Sequence, residues 1–289
     1  MKTFPDLAQK RRWLGQPLAV HGVRNVLRLG YYNYSRAQPG LSEHTHPGTI
    51  EICYLVKGRQ TYVMGGTSYR LRGGDVFIAL PQEQHSTGGL PEEKGALYWI
   101  QYTLPGAGET FLGLPREQGQ AVLEGLFHLR QRHFRGTWRM KECLDEMMRL
   151  YHEPPSPLVT AALSNRATAF LLSVIEASQS AEPESKARLQ PTLQHIESHL
   201  EGAIKLSELA QLLGVSVSRF KIRFKEEMGV PPAEYIQRRR IEEARRRIQQ
   251  STAPITQIAF DLGFSSSQYF ATVFKRYTGS APRELRQRK

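Results

Sequence analysis

The last hundred residues of this 289-residue chain repeat themselves. Leu206-Ser-Glu-Leu209-Ala210-Gln-Leu-Leu213-Gly214 recurs as Ile255-Thr-Gln-Ile258-Ala259-Phe-Asp-Leu262-Gly263. With the register shifted by one residue, Phe220, Phe224-Lys225, Gly229 and Pro232 recur as Phe270, Phe274-Lys275, Gly279 and Pro282. A period of roughly fifty residues is long for a stacked solenoid, and two copies are too few to build one. The pattern therefore describes a tandem pair of small helical units.

Each copy has the physics of a helix-turn-helix. A short helix packs by its apolar positions, and its alanine lets a second helix approach closely. Gly214 and Gly263 permit the left-handed backbone that turns the chain. Ser216 and Ser265 are predicted to cap the second helices, and Ser207 and Thr256 to start the shorter ones. Phe220 and Phe224, like Phe270 and Phe274, stand four residues apart on one face, which leaves the opposite face free for a major groove.

These features resemble the AraC/XylS family of bacterial regulators. Ile255–Arg286, ITQIAFDLGFSSSQYFATVFKRYTGSAPRELR, carries the strongest match, and the resemblance extends over about Gln190–Arg286. It implies two helix-turn-helix units joined by a long helix over Ala233–Gln250, with recognition helices in successive major grooves about 34 Å apart. It places base contacts on Ser218, Lys221 and Ile222 in the first unit, and on Ser267, Gln268, Ala271 and Thr272 in the second. Lys221 suits guanine O6/N7, and Gln268 suits adenine. Ile222 departs from the polar or basic residue common in the family, and Arg223 stands where an apolar residue is usual. Arg219, Arg223, Lys225, Lys275 and Arg276 are assigned to phosphates, which position without specifying.

Charge agrees with this reading. Residues 190–289 hold 17 Lys and Arg against 10 Asp and Glu, so +7 of the chain's net +12 falls there. That density favours a polyanionic partner through counterion release. Arg238–Arg240 and Arg245–Arg247 read as a solvated helix face paired with Glu242 and Glu243, with direct DNA contact as the alternative.

The N-terminal half is built differently. Over residues 20–104, short Val, Ile, Tyr and Phe runs are broken by Gly or Pro, the rhythm of a β-sandwich or barrel. Ile50–Lys57, Gln60–Met64, Asp75–Ala79 and Leu97–Tyr102 are predicted strands, with turns at Gly58, Gly65–Gly66, Gly73–Gly74 and Pro81. Helical spacing follows in Gln118–Arg132, Thr137–Tyr151 and Leu158–Ser178. Gln179–Arg188 is polar and reads as a linker.

Within the strands stand His44-Thr-His46-x4-Glu51-x6-Gly58 and, later, Gly74-x6-Pro81-x3-His85. This spacing resembles the cupin motifs, in which two histidines, a glutamate and a later histidine converge inside a jelly roll. Alternation along a strand would turn His44 and His46 inward together. His44, His46, Glu51 and His85 suit a divalent Zn, Mn, Fe or Ni ion. A polar effector pocket and a purely structural hydrogen-bonded cluster remain open beside that reading. Tyr32, Tyr34, Tyr54, Tyr62, Trp99 and Tyr102 can stack on a sugar ring or simply fill a core; Tyr32 and Trp99 join the four polar residues as the candidate effector site.

The expected fold is multi-domain α+β. Residues 1–115 form a cupin-like effector-binding β-barrel, 116–178 a helical dimerisation segment, 179–188 a linker, and 189–289 the all-α tandem helix-turn-helix domain. The expected function is a sequence-specific transcription regulator, an activator by family habit. A small molecule, a sugar or related metabolite, would control it from the barrel. Its expected partners are promoter DNA, RNA polymerase and a second copy of the chain. The resemblance implies that the helices between barrel and linker join the two copies; Leu163, Phe170, Leu171, Val174 and Ile175 offer an apolar face either for that contact or for ordinary packing within the domain. The alternative is a metal-dependent cupin enzyme with a DNA-binding appendage, against a non-enzymatic first reading. The start MKTFPDLAQKRRWLG has no apolar stretch after its basic residues, so no secretory signal is read there. No apolar run suggests a membrane span, and two cysteines, Cys53 and Cys143, fit a reducing cytoplasm.

Overall fold

The computed structural model describes residues 12–13, 18–179, 185–228 and 230–287; Gly229 of the repeat lies outside them. The strands are β1 (Arg12–Trp13), β2 (Val26–Tyr34), β3 (Thr49–Met64), β4 (Thr67–Arg72), β5 (Asp75–Ala79), β6 (His85–Ser86), β7 (Gly95–Thr103) and β8 (His133–Arg135). The helices are α1 (Arg116–Phe127), α2 (Trp138–Tyr151), α3 (Pro157–Gln179), α4 (Ser185–Ser198), α5 (Leu206–Gln211), α6 (Val217–Met228), α7 (Pro232–Gln250), α8 (Ile255–Asp261), α9 (Ser267–Thr278) and α10 (Pro282–Gln287). They fall into two units, the first holding the sheet and α1–α3, the second α4–α10.

In the first unit the strands pair antiparallel in the order β1-β2-β7-β3-β5-β8, with β4 and β6 also on β3. The two strands predicted on either side of Gly58 are one. Gly58 takes φ 101° beside a bulge at Leu55–Lys57, so the strand bends there and does not end. Its first half pairs with β7 and β5, its second half with β4 and β6, and the sheet rolls around it.

Alternation of side chains then separates two cores. Ile50, Ile52, Tyr54, Val76, Ile78, Tyr98, Ile100 and Tyr102 pack with Leu126, Met140, Leu144, Leu163 and Phe170 of the helices. The intervening Cys53, Leu55, Phe77, Ala79 and Leu97 close around Tyr32, Tyr34 and Tyr62 inside the roll. Fully burying one such aliphatic or aromatic side chain stabilises by about 1.5–3 kcal/mol.

Helix α1 stops at Phe127, short of the predicted Arg132, because the chain returns to the sheet as β8. Buried Asp75 anchors that return: it accepts from His133 Nε2 at 3.0 Å, Arg135 Nη1 at 3.1 Å and the Arg72 amide at 3.0 Å. Burial raises the Asp75 pKa, but the bonds from His133 and the Arg72 amide outweigh it and hold the carboxyl below its usual range.

Helix α3 corrects the expectation that no segment is apolar enough to span a bilayer. It is 23 residues long with a mean hydropathy of 1.5 in its most apolar stretch. Ser164, Asn165, Arg166 and Thr168 interrupt its apolar residues, so no unbroken run stands in the sequence. Leu163, Ala167, Phe170, Leu171 and Val174 bury one side of the helix in the first unit's core with Ile175 packed against it, so the apolar face offered for joining two copies is spent on packing within the unit. Gln179 closes α3 and Ser185 already opens α4, so the segment read as a linker is helical at both ends; residues 180–184 lie outside the described ones.

The second unit is all helical around one core that includes Phe220, Phe224, Ile241, Ile248, Ile258, Phe270, Val273 and Phe274. The repeated sequence gives repeated hydrogen bonds. Val215 N–H reaches Ala210 O at 3.2 Å and Gly214 N–H reaches Gln211 O at 3.0 Å; Phe264 reaches Ala259 at 3.1 Å and Gly263 reaches Phe260 at 2.9 Å. Both are Schellman turns, with the glycines at φ 63° and 72°. The caps are less symmetric than expected. Ser216 Oγ accepts from the Arg219 amide at 3.3 Å, but in the second unit the cap is Ser266, accepting from Tyr269 N at 3.1 Å, and not Ser265. The shorter helices start behind Lys205 and Pro254, with Ser207 and Thr256 already inside them.

Candidate DNA-reading face and effector pocket

Helices α6 and α9 are each split lengthwise. On α6, Phe220, Phe224 and Met228 are buried, while Ser218, Arg219, Lys221, Ile222 and Lys225 are exposed, Ile222 by 61%. On α9, Phe270, Val273, Phe274 and Tyr277 are buried. Gln268, Thr272, Lys275 and Arg276 are exposed, with Ser267 and Ala271 half-buried. The buried stripes result from the four-residue spacing of phenylalanines on a 3.6-residue turn. The residues expected to read bases therefore share the outward stripes of equivalent helices.

Local bonds prepare some of these groups. Ser267 Oγ donates to Gln268 Oε1 at 3.3 Å, and Thr272 Oγ1 donates to the Gln268 carbonyl at 3.1 Å. Arg223, expected to turn toward phosphate, is half-buried and pairs with Glu227 at 3.2 Å, one helical turn on.

Arg238, Arg239, Arg240, Arg246 and Arg247 of α7 are occupied within the second unit. Arg239 takes Glu197 of α4 through two bonds of 2.6 and 2.7 Å and also pairs with Glu242. Arg247 pairs with Glu201 and Glu243, and Arg246 with Glu243. Arg240 donates to the Leu200 and Gly202 carbonyls, and Arg238 is buried over the Tyr277 ring at 5.1 Å. The hydrogen bond from Arg246, reinforced by Arg247, holds the Glu243 carboxyl down at about 2 despite some burial. The pairs with Glu242 and Glu243 were legible at i,i+3 and i,i+4; those with Glu197 and Glu201 were not, because they join residues distant in sequence.

In the first unit, His44, His46 and His85 place one ring nitrogen each within 4.8 Å of the others. They do not converge by alternation along a strand. His44 and His46 precede β3 in an irregular segment, and a single bridge ties it to His85: His44 N–H to His85 O at 3.1 Å and the reverse bond at 3.0 Å. The Nδ1 atoms of His44 and His85 lie 2.8 Å from Ser42 O and 3.0 Å from Glu83 O. A carbonyl only accepts, so each Nδ1 carries a proton and Nε2 faces the cluster.

Glu51 sits beneath. It accepts from Gln101 Nε2 at 2.6 Å and lies 3.2 Å from His46 Nε2 and 3.6 Å from His85 Nε2. Burial pushes its pKa up, but the contacts with His46, His85 and Gln101 win and keep the carboxyl ionised well below the usual range. Burial likewise lowers the His85 pKa, and Glu51 with the Glu83 carbonyl more than reverses it.

The buried Nε2 atoms of His46 and His85 meet the Glu51 carboxylate at 3.2 and 3.6 Å without the geometry of a hydrogen bond, and three imidazoles with a carboxylate form the donor set a divalent ion takes. The residues present fit a metal.

Of the aromatics considered for ring stacking, Tyr32, Tyr34 and Tyr62 line the inner core, with Tyr32 stacked on Tyr34 at 4.2 Å. Half-buried Trp99 lies across Gly30 of the neighbouring strand, where a Cβ would meet its ring at 2.2 Å. Tyr54 and Tyr102 point the other way, donating to the carbonyls of Thr137 at 3.4 Å and Ala167 at 3.3 Å. Gln101 was missed, although a polar residue two positions after Trp99 on an apolar strand marks the same face.

Comparison with known proteins covers both units. Residues 31–171 match an AraC-like ligand binding domain, and residues 209–288 match a helix-turn-helix domain. The HTH-type transcriptional activator RhaS of Klebsiella pneumoniae (strain 342) is 28% identical, over 86% of this chain and 89% of that protein. An AraC-type regulator structure from Chromobacterium violaceum is 29% identical over 36% of this chain and 93% of that one, with a TM-score of 0.35. The DNA-binding domain of AdpA in complex with a target DNA is 25% identical over 35% of this chain and 91% of that one, with a TM-score of 0.34. With a ligand-binding domain before a tandem helix-turn-helix domain, the chain belongs to the AraC/XylS family of DNA-binding transcription regulators.

Proposed function

We propose that the chain is a transcription activator switched by a small molecule held inside the roll. The observation that carries this reading is the matched pair of outward stripes on α6 and α9, standing on turns with the same hydrogen bonds. Ser218, Lys221, Ile222, Ser267, Gln268, Ala271 and Thr272 read bases; Arg219, Lys225, Lys275 and Arg276 hold phosphates, and Arg223 supports α6 through Glu227. Activation follows the role of the RhaS relative, a transcriptional activator. The chain works in the cytoplasm as a homodimer, touches RNA polymerase, and performs no turnover.

The effector class is a sugar or related polyhydroxylated metabolite. Glu51 and Gln101 offer acceptors and donors to hydroxyls, and Trp99 offers a flat apolar face. Ligand binding shifts the regulator only by differing in affinity between two arrangements of the protein. The convergence of three ring nitrogens, two of them facing Glu51 without hydrogen-bond geometry, favours a second component, a divalent ion held by His44, His46 and His85 with Glu51 beside them. When bound, such an ion supplies a Lewis-acidic anchor for effector oxygens. The chain's own part is to fix the rings through the Ser42 and Glu83 carbonyls.

Selection of bound duplexes from random oligonucleotides, with footprinting upstream of the gene in the presence and absence of candidate sugars, tests the proposal. A site with two boxes about one helical turn apart is expected, with occupancy changed by one ligand. Binding without any enriched motif would sink it.

A further inference from the structure

The two recognition helices belong to different repeats, so something must set the bearing of one against the other. Helix α7 runs between them, and its polar side chains divide the work. Toward α4 and the turn that follows it, α7 sends Arg239 to Glu197, Arg247 to Glu201, and Arg240 to the carbonyls of Leu200 and Gly202. Toward α9 it sends Gln237. The Gln237 amide Nε2 donates to Tyr269 Oη at 3.0 Å, and its Oε1 lies 3.4 Å from Tyr277 Oη, which donates to it.

Tyr269 stands in the first turn of α9 and Tyr277 in its last. One amide therefore holds both ends of the recognition helix through two phenols that converge on it. The remaining α9 packing, through Phe270, Val273 and Phe274, is apolar and non-directional. It keeps the helix buried but tolerates rotation and sliding. A hydrogen bond fixes direction as well as distance. Arg238 and Lys94 over the Tyr277 ring, at 5.1 and 5.4 Å, add contacts at the far end only.

We propose that Gln237 is a positioning residue that sets the bearing of α9 on α7, and thereby the separation of major-groove boxes the protein accepts. The inference rests on α6 and α9 both reading DNA. Moving one box by a single base pair shifts it about 3.4 Å and rotates it roughly 35° around the duplex. A rigidly held α9 cannot follow both changes, whereas a loosened one can.

The experiment uses the full chain and its own selected two-box duplex, with derivatives carrying one base pair more or fewer between the boxes and a duplex with a single box. Affinities are read by fluorescence anisotropy at fixed salt. The parent is expected to lose about tenfold or more on either altered spacing, as for a mismatched position. Gln237→Met, similar in length but unable to bond either phenol, is expected to flatten that penalty to about threefold while binding the single box as the parent does. Gln237→Glu, which accepts from both hydroxyls, is expected to restore the parental profile. Tyr269→Phe removes the shorter bond without altering α7 and serves if the methionine variant does not fold; it too should flatten the profile. A folded Gln237→Met or Tyr269→Phe protein with the parent's spacing penalty overturns the role of Gln237 alone. A parent that selects no two-box site overturns both this inference and the reading it rests on.

Discussion

Replacing Gln268 and Lys275 separately distinguishes reading a base from holding a phosphate on one helix. Both side chains are exposed on α9, so truncation to alanine should change folding stability by no more than about 0.5 kcal/mol. The Gln268 amide is partly oriented by Ser267, whose hydroxyl already uses one acceptor site on Oε1. A bidentate amide–adenine pair discriminates by about 1–3 kcal/mol; with one acceptor site shared, the lower half of that range is expected, roughly five- to thirtyfold. Gln268→Ala should lose that factor on the selected site and nothing on duplexes substituted at the one position it reads, with an unchanged salt slope. Lys275→Ala should weaken every duplex equally and reduce the slope of log K against log salt by about 0.9. Anisotropy titrations at several salt concentrations measure both. If Gln268→Ala weakened all duplexes by one common factor, the assignment of the α9 stripe to base reading would be refuted.

Three further outcomes follow from particular contacts. Ser266→Ala should loosen the start of α9 by about 1 kcal/mol in hydrogen exchange, while Ser265→Ala leaves it unchanged; equal effects would reject the cap. Because the Asp75 pKa is depressed by folding, its contribution is fully present above the unfolded value near 4 and is lost as pH falls through that value toward the folded one. Urea unfolding of the first unit should accordingly weaken below about pH 4 in the parent and lose that pH dependence in Asp75→Asn, which should be less stable at pH 7. Cobalt(II) added to apo protein should give visible ligand-field absorption at one equivalent, abolished by His85→Ala and by chelator; a silent titration would remove the metal from the pocket.

The sequence by itself determined the helical units and their outward faces. A glycine after a short apolar helix and two phenylalanines a turn apart are local rules, and each acts within a few residues. Because the rule is written twice, the two turns carry the same hydrogen bonds. The residue types of the polar cluster in the roll were also legible, since three histidines and a glutamate are costly to place together without a purpose.

Tertiary structure decided what those local rules leave open. Gly58 could end a strand or bend one, and only the pairing of both halves of β3 with different neighbours made it a bend. His44 and His46 meet His85 through a bridge between segments far apart in sequence, and Glu197 and Glu201 pair at the surface with α7 arginines some forty residues on. The inward or outward sense of Tyr54 and Tyr102 depended on the register of β3 and β7, and a slip of one residue exchanges the two faces of a strand. Such facts come from the closure of long loops and the competition of whole faces for burial, which no short window of residues contains.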